Sequence, residues 1–233
     1  MIYYIAISEQ IKQHWVEKGL DTKKIDAIYN VYQSSDDDAL PDNDILSISE
    51  YDGYKIIFAG RLIECKGIPF LVKGFEQIIN NNINAKLFLV GDGEEENKLK
   101  EYISELNIKQ HVVFFDYKTN PQAFIRKADL LVLPSSEEGF GRVLLEAMDV
   151  GTPVIGTRIG GIPEIIEHGT NGLLVDYGDI EALKKSIIEI LEDKLLRKKL
   201  IQGGYETINS KFRVETYQEK LESIYDTLLG ITI

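Results

Sequence analysis

Two glutamates flank a pair of glycines in the stretch PSSEEGFGRVLLEAM, residues 134–148. Glu138 follows an apolar run that is typical of a strand, so it is expected on the loop after that strand. A carboxylate in such a loop can accept hydrogen bonds from the hydroxyls of a ligand without deep burial. Glu146 lies eight positions later, inside an apolar run that is typical of a helix. The residue types suggest binding of a hydroxyl-rich ligand, provided that both carboxylates reach one site.

The position of Glu146 on its helix allows two interpretations. At 3.6 residues per turn, Arg142, Glu146 and Asp149 fall together in the gap left by the apolar side chains. Glu146 could therefore be a solvent-facing residue paired with Arg142 at i, i+4, which is worth a few tenths of a kcal/mol. It could equally be a ligand-binding residue. Helical periodicity leaves the two interpretations near even.

Positive charges and further glycines follow other strand-like runs. Arg61 and Lys66 follow YKIIFAG, the segment GDG at 91–93 ends the next run, and GTRIGGIPE begins at 156. A glycine-rich loop that leads into a helix presents free N–H groups, which suit an anion such as a diphosphate. Arg and Lys would add positive charge for the phosphate oxygens. Taken singly, a glycine after a strand is more often just a turn, and each of the two cations more often a surface charge.

The order of the apolar runs predicts the architecture that would bring these residues together. Short runs rich in Ile, Val, Leu and Phe alternate with helical stretches, and the strand-like runs are apolar almost throughout. This pattern predicts an α/β fold with a Rossmann-like, doubly wound parallel sheet and a helical C-terminus. Strands are expected at 54–60, 86–93, 111–115, 129–136, 152–157 and 171–176. Ligands of such sheets bind beyond the carboxyl ends of the strands, where the unusual residues lie.

Composition narrows the classes of partner. The net charge of −12 over 233 residues disfavours nucleic acid as a ligand, because both would be negatively charged. The single cysteine, Cys65, excludes an internal disulfide framework and fits a reducing compartment. His14, His111 and His168 show no metal-ligand spacing, and His168 is expected at the end of a helix over IPEIIEHG. No apolar run reaches the roughly 18 residues that a membrane span needs.

The stretch EEGFGRVLLEAMDVGTPVIGTRIGGIPEIIEHGTNGLLV resembles the signature region of retaining glycosyltransferases of family 4, which have the GT-B fold. The match includes the spacing of Glu, seven residues, Glu. Upstream, IIFAGRLIECKGIPFLVKGF resembles the diphosphate-binding segment of that family, and LFLVGDGEEENKLK resembles its next strand and helix. The resemblance extends over nearly the whole chain.

The resemblance implies a donor site for a UDP-, GDP- or ADP-sugar that needs no cofactor and no metal. Glu138, Arg61 and Lys66 would be catalytic, the two cations by holding the diphosphate and Glu138 by binding sugar hydroxyls. Glu146 would bind the ribose, and the base would lie near 115–117, where many relatives have a glycine in place of Asp116. The implied donor-binding residues are Gly60, Arg61, Lys66, Gly91, Phe115, Asp116, Tyr117, Glu138, Gly139, Phe140, Gly141, Val143 and Glu146.

The resemblance also implies a domain organisation. Residues 1–33 would be a remnant of an N-terminal domain, 34–52 an acidic linker, 53–210 the nucleotide-sugar domain, and 211–233 a helix that crosses back. The implied function is cytoplasmic transfer of a sugar to a saccharide or lipid-linked acceptor, with contact to the inner membrane face left open. The alternative is a donor-binding module that is inactive without a partner chain supplying the N-terminal domain. A weaker alternative is a non-catalytic Rossmann-like interaction domain.

Overall fold

The computed structural model describes residues 2–31 and 43–230. The first of these segments forms a small unit in which two parallel strands, β1 (Tyr4–Ala6) and β2 (Ile25–Ala27), are connected by helix α1 (Glu9–Glu17). The second segment forms a six-stranded parallel sheet with helices. Its strands are β3 (Tyr54–Ala59), β4 (Ala85–Val90), β5 (Val112–Phe115), β6 (Leu130–Leu133), β7 (Val154–Thr157) and β8 (Leu173–Val175).

The strand order in the large sheet is β5-β4-β3-β6-β7-β8, and every neighbouring pair is parallel. The chain builds outward from β3 to β5, returns to place β6 beside β3, and then builds outward on the other side. The two halves therefore meet between β3 and β6. A ligand crevice is expected at that switch point, outside the carboxyl ends of the two strands.

The strands are apolar because both faces of the sheet are covered. All four residues of β6 are buried, as are the last four of β3. Helix α3 contacts α4 and α8, helix α6 contacts α5 and α9, and α8 also contacts α9. The helices of the second segment are α2 (Asn43–Ser49), α3 (Ile68–Asn80), α4 (Glu96–Glu105), α5 (Pro121–Ile125), α6 (Arg142–Asp149), α7 (Ile162–Ile165), α8 (Ile180–Glu192), α9 (Lys194–Lys211) and α10 (Val214–Leu229).

The α/β architecture predicted from the sequence is confirmed, and each predicted strand begins and ends within three residues of its expected bounds. The helix expected over IPEIIEHG is much shorter than predicted, because α7 ends at Ile165. The side chain of Asn171 accepts a hydrogen bond from Glu167 N at 2.8 Å and donates one to Ile165 O at 2.9 Å. These bonds satisfy backbone groups that a longer helix would pair. His168 therefore lies outside the helix, where its Nδ1 accepts from Leu174 N at 2.9 Å.

The predicted acidic linker, 34–52, is also corrected in part. Its residues 34–42 lie outside the described residues, but 43–49 form helix α2. Ile48 in α2 is fully buried and belongs to the hydrophobic core. Burial of this side chain stabilises a helix that the acidic and polar composition of the segment did not predict.

An aromatic cluster joins the N-terminal unit to the large sheet. The Tyr29 ring stacks on the Phe140 ring with centroids 5.8 Å apart, and both pack against Phe212. Phe212 lies between α9 and α10 and is fully buried. None of the helices within 2–31 and 43–230 is long and apolar enough to cross a membrane.

Candidate functional site

A cavity of ≈ 370 Å³ lies beyond the carboxyl ends of β3 and β4, beside the start of α6. The residues that line it come from four separate segments of the chain. They are Ala59, Gly60, Arg61, Val90, Gly91, Asp92, Tyr117, Lys118, Thr119, Pro121, Arg142, Val143 and Glu146. The cavity therefore lies next to the switch point between β3 and β6, where the topology of the sheet favours a ligand crevice.

Backbone hydrogen bonds beyond the strands hold the floor of this cavity together. Gly60 N donates to Val90 O at 3.0 Å, and Gly91 N donates to Phe115 O at 2.9 Å. Gly91 has φ of +136°, and a Cβ at this position would overlap the carbonyl oxygen of Gly60. Only glycine therefore allows the ends of β3 and β4 to approach this closely.

Lys66 and Glu138 form an ion pair between the segments that follow β3 and β6. Lys66 ends a short 3-10 helix, Glu64–Lys66, and Glu138 lies on the loop after β6. The two loops are joined because Ser136 N donates to Cys65 O at 2.9 Å. Lys66 Nζ lies 2.6 Å from Glu138 Oε2, and Ser135 Oγ donates to the same oxygen at 3.3 Å. A lysine and a carboxylate that are distant in sequence are thereby held at one point of the crevice.

Glu146 faces the cavity from the first turns of α6. Its side chain is 16% exposed, whereas that of its neighbour Arg142 is 63% exposed. The two charges are 3.6 Å apart, so the i, i+4 pair considered from the sequence is present. Burial nevertheless raises the pKa of Glu146, and the opposing effect of Arg142 is the smaller one. Glu146 is therefore not the solvent-facing residue of the first interpretation, since it is mostly buried and lines the cavity.

The loop between β7 and α7 packs against the Glu138–Gly141 loop. Gly161 N donates to Glu138 O at 3.1 Å. Gly160 has φ of +56°, and a Cβ on it would overlap the carbonyl oxygen of Glu138. Gly141 caps the N-terminus of α6 with φ of 91°. The glycines of the two loops, 139–141 and 157–161, thus allow these loops to pack closely against each other.

The structure brings about half of the expected donor-binding residues into the cavity lining. These are Gly60, Arg61, Gly91, Tyr117, Val143 and Glu146. Phe115 and Phe140 have buried side chains in the core, so they could reach a ligand through backbone groups only. The described lining does not include Lys66, Phe115, Asp116, Glu138, Gly139, Phe140 or Gly141.

Comparison with known proteins shows which family the chain belongs to. The profile of the family described as "Glycosyl transferases group 1" matches residues 47–207, which contain the whole large sheet. The chain belongs to the glycosyl transferases group 1 family.

Among curated members, the chain is similar to the N-acetyl-alpha-D-glucosaminyl L-malate synthase of Bacillus anthracis, with 33% identity over 229 residues. That match covers 96% of this chain and 59% of the relative. The capsular polysaccharide biosynthesis glycosyltransferase CapM of Staphylococcus aureus is 32% identical over 76% of this chain and 47% of its own. The chain spans about half to three fifths of the length of these group 1 relatives.

Solved structures confirm the fold. A glycosyltransferase from Rickettsia africae superposes with a TM-score of 0.87 at 23% identity, over 99% of this chain and 64% of that one. Anabaena HepE in complex with UDP-glucose superposes with a TM-score of 0.85 at 24% identity, over 97% and 64% of the two chains. The large sheet is therefore the Rossmann-like domain of a GT-B fold, as the sequence predicted.

Several residues that line the cavity of this group 1 domain were not predicted from the sequence. Asp92, Lys118, Thr119 and Pro121 belong to the loops after β4 and β5. Lys118 Nζ also donates to Asp44 Oδ2 at 2.6 Å, which connects α2 to the rim of the cavity. A sequence signal existed, because the GDG segment and the polar DYKTNP segment each follow a strand. Within the part of the chain that the structure describes, no group of three or more His, Cys, Asp or Glu side chains could hold a metal ion.

Proposed function

We propose that this chain carries the donor half of a retaining glycosyltransferase of family 4. The enzyme transfers a sugar from a UDP-, GDP- or ADP-sugar to a saccharide or lipid-linked acceptor, in polysaccharide or glycolipid synthesis. One observation carries the proposal: Arg61 and Glu146 line one cavity next to the switch point, and the Lys66–Glu138 pair joins the segments that follow β3 and β6 there. The names of the capsular polysaccharide relative and of the UDP-glucose complex of HepE support the same class of donor and pathway.

In the proposed complex, the diphosphate lies near Arg61 and Lys66. Negative charge develops on the diphosphate as the bond to the sugar breaks, so fixed positive groups there stabilise the transition state more than the ground state. The N-terminus of α6, which follows Gly141, presents backbone N–H groups to the same region. These groups supply the electrostatic stabilisation without a metal ion.

The two carboxylates bind the two sugar rings of the donor. Glu138 accepts hydrogen bonds from hydroxyls of the transferred sugar. Its hydrogen bond with Lys66 places this sugar contact next to the cation that holds the diphosphate. Glu146 accepts hydrogen bonds from the ribose at the other end of the site, where its burial strengthens each bond. The base lies against the 115–117 segment, of which Tyr117 lines the cavity.

Calorimetry with UDP, GDP, ADP and UDP-glucose tests this assignment. Glu146→Ala should weaken a nucleoside diphosphate more than inorganic pyrophosphate, because only the nucleotide has a ribose. Glu138→Ala should leave UDP affinity nearly unchanged and weaken UDP-glucose about tenfold, the usual effect of losing a hydrogen bond to a charged group. The matched control is Glu137→Ala, since Glu137 is the exposed neighbour of Glu138.

Absence of binding for all these nucleotides would refute the proposed function. Equal losses of nucleotide and pyrophosphate in Glu146→Ala would refute the ribose role alone. Sugar transfer or donor hydrolysis by the isolated chain would contradict the alternative that it is inactive without a partner chain.

A further inference from the structure

Helix α1 is capped by a carboxylate from a distant part of the chain. Glu164 Oε2 accepts a hydrogen bond from Glu9 N at 2.8 Å, and Glu164 Oε1 accepts one from Gln10 N at 2.9 Å. The local N-cap residue, Ser8, accepts from Ile11 N at 3.1 Å. Glu164 lies on α7 and is 155 residues from Glu9 in sequence. Its two oxygens therefore connect the N-terminal unit, residues 2–31, to the large sheet.

The same α7 segment supports the loop that carries Glu138. Glu164 N donates to Gly161 O at 3.1 Å, and Gly161 N donates to Glu138 O at 3.1 Å. Gly160 and Gly161 pack so closely on Glu138 and Gly139 that neither has room for a Cβ. A displacement of α7 would therefore be transmitted directly to the backbone of Glu138.

The N-terminal unit also contacts this loop directly. Tyr29 stacks on Phe140, and the Ile7 Cδ1 lies 3.6 Å from the position of a Cβ built on Gly139. The pKa of Tyr29 is raised to about 12, by burial first and then by the charge of Glu164 and its hydrogen bond with it. Tyr29 and Ile7 thus connect the loop Glu138–Gly141 to residues 2–31, and Glu164 holds that unit through Tyr29 and the first turn of α1.

We propose that Glu164 is a positioning residue for the donor sugar. By binding the first turn of α1, it holds residues 2–31 against the loop 138–141 and so sets where Glu138 meets the sugar hydroxyls. This inference rests on the proposed function of the site. A cap that only stabilised α1 would leave the loop and the sugar affinity unchanged.

Amide hydrogen exchange, measured by NMR on the ligand-free protein, tests the structural half of the proposal. Glu164→Ala should speed exchange about tenfold at Glu9 and Gln10, which lose charged acceptors, and should also speed it at Gly161 in the loop contact. Glu164→Gln should restore part of the protection, because one amide oxygen remains. Glu167→Ala, an exposed glutamate of the same segment, is the matched control. A change confined to α1, with Gly161 as in the control, would overturn the proposal.

The functional half is tested by calorimetry with UDP and UDP-glucose on the same variants. Glu164→Ala should weaken UDP-glucose about tenfold more than UDP, since only the sugar depends on the loop position. Equal affinities in Glu164→Ala and in the control would overturn the positioning role while leaving the proposed function intact. A wild-type protein that binds neither ligand would refute the proposed function, and the exchange experiment would still decide whether Glu164 positions the loop.

Discussion

The ion pair between Lys66 and Glu138 should make a measurable contribution to folding stability. The perturbation is the double-mutant cycle of Lys66→Met, Glu138→Gln and the combined variant. Each substitution removes one charge and keeps most of the side-chain volume, so the cycle isolates the interaction between the charges. If the charges stabilise each other, the costs of the two single variants should add up to more than the cost of the combined variant, and the difference is the coupling energy.

The magnitude follows from the geometry and burial of the pair. The two charges are 2.6 Å apart, with Lys66 21% and Glu138 12% exposed. Fully exposed pairs contribute about 0.2–1 kcal/mol, whereas breaking a fully buried pair costs about 3–5 kcal/mol. Because this pair lies between those limits, we expect a coupling energy of about 1.5 kcal/mol.

Urea unfolding of the four proteins at pH 7 measures the coupling. The matched control is the cycle of Lys98→Met and Glu95→Gln, whose charges are also 2.6 Å apart but whose lysine is 73% exposed. Solvent screens the control pair, so its substitutions should be additive. A coupling below about 0.5 kcal/mol for Lys66 and Glu138 would lie within the usual error of additivity. That result would refute the conclusion that burial in the crevice strengthens the pair.

Two further predictions concern Gly160 and Glu146. Gly160→Ala should lower the free energy of unfolding by about 2–4 kcal/mol, since it combines left-handed strain with overlap on Glu138 O. Gly169 has φ of +77° and open space around it, so the control Gly169→Ala should cost only about 1–2 kcal/mol. Urea unfolding measures both variants, and an equal loss of unfolding free energy in the two would contradict the overlap at Gly160. Because burial raises the pKa of Glu146, its ionisation destabilises the folded state as pH rises through the folded pKa. Glu146→Gln should therefore raise the thermal midpoint at pH 7 and lose this advantage at acidic pH, and a midpoint that is lower at pH 7 would contradict this.

The sequence was sufficient for the architecture because its signals are local. Runs such as YKIIFAG and DLLVLPSS are apolar on both sides of the strand, and they alternate with helical stretches. That pattern predicts a covered parallel sheet, and the glycines at the strand ends predict the edge where a ligand binds. Helix α2 was not predicted because Ile48 packs into a core that distant segments build. Helix α7 was predicted too long because the side chain of Asn171, only four to six residues away, bonds the backbone of Glu167 and Ile165.

The amino-acid sequence by itself determined the strands, the long helices, and the two glutamates with their spacing. Only the tertiary structure decided which charges meet. Lys66 and Glu138 are 72 residues apart, and no periodicity relates them. A helical projection could not predict the burial of Glu146 either, because it shows the neighbours on the helix but not the loops after β3, β4 and β5 that line the same cavity. Local propensity acts over a few residues, whereas desolvation and ion pairing depend on segments that only folding brings together.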